Sequence, residues 1–142
     1  MKHVAVLAAI ALALTGCTAP YAYNGPGDAP TAKLKLGVDK IPFVYISETN
    51  ECPKAMMDQK QPFTVIPAGR KLFVEPGFSS AGLPGGFTCV SPMSFVPQAG
   101  QEYFVVYQLS GMRCYGQILT KDPGGAVVPV PTAKEQSRIC MW

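Results

Sequence analysis

Proline and glycine interrupt this chain too often for it to hold a long helix. Fourteen of each are spread over 142 residues, and beyond residue 33 turn signals recur about every 8–12 residues. What lies between them is β-branched and aromatic. Lys33-Leu34-Lys35-Leu36 alternates polar and apolar, the pattern of a half-buried strand. Phe43-Val44-Tyr45-Ile46, Phe63-Thr64-Val65-Ile66 and Lys71-Leu72-Phe73-Val74-Glu75 follow as further short strands, the last two joined by a Pro67-Ala68-Gly69 turn. One helical turn fits over residues 54–58, with Pro53 at its first position.

The densest β signal runs from Phe87 to Thr120. Pro92 divides residues 87–90 from 94–96, which predicts a bulge or two short strands. Residues 102–108 (EYFVVYQ) are apolar at both parities, as expected of a central strand covered on both faces. Residues 113–119 return antiparallel to it, and Pro129 makes residues 126–130 an edge strand. These patterns predict an all-β domain over residues 33–142: an antiparallel β-sandwich of about seven or eight short strands, immunoglobulin- or transthyretin-like. A closed barrel is the alternative arrangement.

Residues 1–16 belong to something else. The apolar run over residues 4–14 fits the ~7–15 residues of a signal h-region and is short of the ~18 that a membrane span needs. It ends in Leu14-Thr15-Gly16-Cys17, which resembles a bacterial lipobox. The resemblance implies that residues 1–16 are a lipoprotein signal peptide and that Cys17 is acylated with palmitate-type chains. Stable anchoring takes two or more such chains. Thr18, where an aspartate would favour inner-membrane retention, implies an outer-membrane lipoprotein facing the periplasm. Residues 17–32, rich in proline and glycine, then read as the lipidated cysteine and a flexible tether of at most ~50 Å, with Tyr21 and Tyr23 at the headgroup interface.

Export sets the reading of the cysteines. Cys52, Cys89, Cys114 and Cys140 remain after Cys17, an even number in an oxidising compartment, and predict two disulfides. The competing zinc site lacks any C-x-x-C pair. If residues 87–96, 101–109 and 112–120 form a meander, the outer two lie ~9.5 Å apart, beyond the ~7 Å a disulfide tolerates. Cys89–Cys114 is then the least favoured pairing, and Cys52–Cys89 with Cys114–Cys140 the favoured one.

The chemistry on offer is thin. The single histidine, His3, leaves with the signal, so the mature chain holds no Ser-His-Asp or Cys-His site and lacks the commonest nitrogen ligand for metals. No catalytic residues, metal site or cofactor are expected. Of 12 basic and 9 acidic residues, Lys2 also leaves, and so small a positive excess is no nucleic-acid footprint. Glu75 and Glu102 sit at strand ends, where charges mark exposed rims. The glycine-rich loop over residues 77–86, with Phe78, Leu83 and Phe87 in or beside it, is the candidate binding loop.

Two resemblances bear on role. IPAGRKLF (66–73), SFVPQAGQEYFVVY (94–107) and RCYGQIL (113–119) are similar to segments of small proteobacterial lipoproteins built as compact β-sandwiches in the style of PEGA-type surface domains. This implies a non-catalytic envelope module that binds a protein or cell-wall partner. Ser110-Gly111, Tyr115 and Thr120-Lys121 resemble the Ser-Gly-x-x-Tyr loop and later lysine of lipid-anchored C-type lysozyme inhibitors, with one residue too many before the tyrosine. The alternative they imply is an inhibitor of a cell-wall-degrading enzyme.

Overall fold

The computed structural model describes residues 19–137 apart from 39, 81 and 83. Cys17, Leu83 and Cys140 lie outside the described residues. Those described form eleven strands and no helix, in the order β1 (Thr31–Leu36), β2 (Phe43–Ser47), β3 (Ala55–Met56), β4 (Thr64–Pro67), β5 (Leu72–Ser79), β6 (Thr88–Val90), β7 (Met93–Phe95), β8 (Glu102–Ser110), β9 (Arg113–Lys121), β10 (Val127–Pro129) and β11 (Lys134–Glu135).

They build two sheets. One has the order β10-β9-β8-β1-β4; the other runs β11-β7-β5-β2-β3, with β6 also paired to β5. Inward residues of both sheets share one core: Ala32 and Leu34 of β1, Val44 and Ile46 of β2, Ile66, Leu72, Val74, Phe95, Tyr103, Val105 and Ile118. The alternation read in Lys33-Leu34-Lys35-Leu36 is thus real at Leu34, which is fully buried. Phe95 meets Tyr103 edge-on at 4.9 Å between ring centroids, and the Tyr103 hydroxyl accepts the Gln98 N–H at 2.8 Å. Pro129 sits in β10, at an edge, where its missing N–H breaks no ladder.

Several expectations are corrected. The sheets are mixed rather than antiparallel throughout, because β1 pairs with β8 in parallel, Lys33 opposite Glu102 and Leu36 opposite Val105. A parallel pair needs a long crossover, and here β2 to β7 supply it, β4 of the first sheet among them. The doubly covered central strand is β5, in which Val74, Glu75, Pro76 and Gly77 are all buried. In β8 only Tyr103 and Val105 are buried, while Phe104 and Val106 on the outer face stay partly exposed.

No helical turn forms over residues 54–58, because β2 captures Ala55 and Met56 as a strand. Lys54 is drawn inward to Glu75, which is 1% exposed instead of marking a rim. The two side chains form a buried ion pair, and the Lys54 ammonium also lies 5.8 Å from the Phe73 ring.

The disulfide pairing is overturned. Cys89 and Cys114 are bonded to each other, with Cα atoms 6.0 Å apart. The meander argument failed because β6 does not lie beside β8. It pairs with β5 in the opposite sheet, Phe78 against Cys89, so the bond crosses between sheets at one end of the molecule instead of spanning a strand. Cys52 is also disulfide-bonded, and its favoured partner Cys89 is taken.

Strand β1 starts at Thr31, two residues before the predicted boundary, and the tether is not free along its described part. Tyr21 donates its N–H to the Met56 carbonyl at 2.8 Å and its hydroxyl to Glu48 Oε1 at 3.1 Å. Arg70 pairs with the same carboxylate and lies 5.6 Å over the Tyr23 ring. Burial, then the Glu48 charge, push the Tyr21 hydroxyl pKa well up.

Candidate functional site

The hairpin of β8 and β9 closes with Ser110 opposite Arg113, leaving Gly111 and Met112 as a two-residue loop. Gly111 has φ of +60°, and among the described residues none but glycines, so not Met112, has a positive φ; this is the pattern of a type II′ turn, which matches the twist of paired strands. The hairpin reaches well past its neighbour, since β1 ends opposite Val105. Its end is exposed and apolar: Met112 is 79% exposed, Tyr115 53% and Leu109 40%.

One side of β9 is ladder-paired to β8 along its length, but the other is not. Strand β10 covers only Leu119, Thr120 and Lys121, and Val130 extends the pairing to the Ile118 carbonyl. Between Cys114 and Gln117 no strand lies against the outer edge among the described residues. Here the β6–β7 corner approaches, and the Gly116 N–H donates to Ser91 Oγ at 2.8 Å. A Cβ at residue 116 would stand 2.8 Å from Met93 Cε and 2.9 Å from Ser91 Oγ, so only glycine permits this approach. Beyond it opens a groove of about 340 Å³, bounded by Tyr115, Gln117, Pro129, Ala133, Lys134 and Glu135 among others. A strand edge with no neighbouring strand beside such a groove is where an extended segment of another protein can add a strand.

Rigidity comes from the cross-links around it. The Cys89–Cys114 bond fixes the hairpin to the second sheet, and the Tyr107 hydroxyl donates to the Cys89 carbonyl at 3.0 Å. Burial raises the pKa of that hydroxyl.

Phe78 belongs to β5, and its ring packs against Phe87 at 5.7 Å between centroids. Ser80 closes the loop by exchanging hydrogen bonds with Phe87. The two phenylalanines therefore fold back on one another, and the exposed apolar surface lies on the neighbouring hairpin. Sequence reading missed it because Leu109, Met112 and Tyr115 interrupt no pattern; the signal was Ser110-Gly111, a tight turn after an overlong strand.

The residues resembling a lysozyme-inhibitor motif are not gathered. Gly111 is at the hairpin turn, whereas Thr120 faces Tyr103 at the far end of β9, roughly 25 Å away at ~3.3 Å per residue. A second cavity, about 440 Å³, is lined by Pro20, Met56, Met57, Asp58, Gln59 and Lys60. Among the described residues no group of three His, Cys, Asp or Glu could hold a metal ion, and no helix is long and apolar enough to cross a membrane. The chain matches no protein-family model, no curated protein and no solved structure.

Proposed function

We propose that this chain is a lipid-anchored envelope protein that works by binding: acylated at Cys17, tethered to the outer membrane facing the periplasm, and taking an extended segment of a partner protein along the outer edge of β9. The two sheets on one core are read as a β-sandwich, with Cys52 and Cys140 as its second disulfide. The observation that carries the binding role is the uncovered edge at residues 114–117 with its groove and the exposed Tyr115. Main-chain hydrogen bonds would supply affinity there, and the groove would select side chains. The lysozyme-inhibitor alternative has less support, because its motif residues lie at opposite ends of one strand.

A photocrosslinking amino acid at position 115, expressed in cells, tests the reading. It should capture one reproducible partner, and Gln117→Ala with Lys134→Ala, two exposed residues bounding the groove, should diminish the capture while the folded protein persists. Equal capture from position 124, at the other end of the molecule, would remove the proposal. Metabolic labelling with palmitate tests the anchor separately: the wild-type chain should be labelled and Cys17→Ala should not.

A further inference from the structure

The anchoring reading leaves open how the domain stands on its membrane, and the path of the first described residues bears on this. Pro20 lines one cavity with Met56, Met57 and Lys60, Tyr21 bonds to Met56, and Tyr23 sits under Arg70. The chain thus runs along the outer edge of the second sheet in the same direction as β2, from the Phe43 end toward the Ser47 end. Cys17 is three residues before Pro20, so on any path it lies within ~11 Å of that residue. The tether that could have reached ~50 Å is reduced to a short leash at one end of the domain.

That end can be assembled from the registers. It holds the described residues of the connection from β1 to β2 (37–42) and of the loop 80–87, the segment 57–63 that follows β3, and the hairpin tip 109–113. The parallel pairing of β1 with β8 places the first and last at the same end, and the Gln59 side chain, bonded to the Ile41 carbonyl at 2.7 Å, adds the second. The disulfide adds the third. The end combines apolar tips with cations: Leu109 and Met112 are exposed, as are Lys40, Lys60 and Arg113. Asp58 is the acid described there; Asp39 is outside the described residues. At the opposite end the acids are matched by cations, Glu48 by Arg70 and Glu102 by Lys35.

We propose that the end bearing Met112, Leu109, Lys40, Lys60 and Arg113 rests on the phospholipid surface, the hairpin tip dipping into the headgroup region while the cations meet lipid phosphates. Methionine and leucine side chains at the tip gain by leaving water, and lysine and arginine stems reach along the interface with their charges at headgroup level. A leash of ~11 Å keeps this end at the bilayer and holds the opposite end away from it. The inference rests on acylation of Cys17.

The test uses the full chain purified from cells and reconstituted in phosphatidylethanolamine–phosphatidylglycerol vesicles containing brominated lipid. The only tryptophan, Trp142, is replaced by phenylalanine, and a new one is placed at the tip (Met112→Trp) or at the far end (Val127→Trp). Both positions are exposed, and retention of the Cys89–Cys114 bond checks the fold. Met112→Trp should be quenched severalfold more than Val127→Trp. The mass of the N-terminal peptide reads the lipid on the same samples. Lipidated protein quenched equally at both positions, or more at 127, overturns the orientation alone; a Cys17 without lipid overturns the anchor and the orientation with it.

Discussion

Lys54 carries an ammonium group into a sheet interior where the Glu75 carboxylate is its counter-charge. Asn50 Oδ1, 3.4 Å away, is a longer contact on the same nitrogen. Desolvating two ions costs several kcal/mol each, and their attraction only roughly repays it. Removing one partner strands the other. Lys54→Met or Glu75→Leu alone should therefore destabilise the domain by about 3–5 kcal/mol in urea titrations, while the double variant should recover most of that loss. Additive losses would show that the pair is not coupled. Sequence could not reveal this pair, since Glu75 ends an alternating run and Lys54 follows a proline in a polar stretch. Only the β2–β5 register, with Tyr45 opposite Glu75, brings the carboxylate to the sheet centre.

Two other residues link structure to pH. Tyr21 and Tyr107 have hydroxyl pKa values raised above 10 by burial, with the Glu48 charge adding at Tyr21. A tyrosine titrates near 10 in an unfolded chain. Above that pH the unfolded state sheds protons that the folded state retains, so stability falls as pH rises. The stabilisation is complete below about pH 10 and declines above it. Urea midpoints measured between neutral pH and pH 11 should drop less steeply in Tyr21→Phe and Tyr107→Phe than in the parent.

At the scale of elements, strand identity was legible and strand partnership was not. Val44 and Ile46, or Tyr103 and Val105, declare their faces by alternation, because a period of two is a local property. Whether β6 lies beside β8 or across the core from it is decided by contacts remote in sequence, and local pattern carries no record of them. The candidate site suffered the same way: Tyr115 reads as one more residue in a strand until the short β10 shows that its strand is half uncovered. Cysteine pairing is where this matters most. With Cys89 and Cys114 joined, the proposed acylation of Cys17 would leave Cys52 to Cys140. Non-reducing peptide mapping should recover 89–114 and 52–140 fragments, and a peptide joining Cys52 to Cys114 would contradict both. Loss of the first bond in Cys89→Ala/Cys114→Ala should lower stability by about 2–4 kcal/mol.

For the molecule as a whole, the segment before β1 is part of the fold and not merely a string. Tyr21 supplies two hydrogen bonds to the second sheet, and Tyr23 lies against Arg70. The Arg70–Glu48 pair is largely exposed and contributes little by itself, so the ordering depends on Tyr21. Each hydrogen bond contributes about 0.5–1.5 kcal/mol net, and the cost of ordering residues 19–23 opposes them. The docking is therefore strong enough to set where the chain leaves the domain and weak enough to be removed without unfolding it. Tyr21→Ala should lower stability by only about 1–2 kcal/mol yet free the segment, which amide exchange would register as lost protection at Tyr21 and at its partner strand β3. In vesicle-bound protein the same change should lengthen the leash, so that quenching of a tryptophan at position 112 weakens and becomes variable. If exchange at Tyr21 is already fast in the parent protein, the tether swings freely and the proposed stance on a membrane fails.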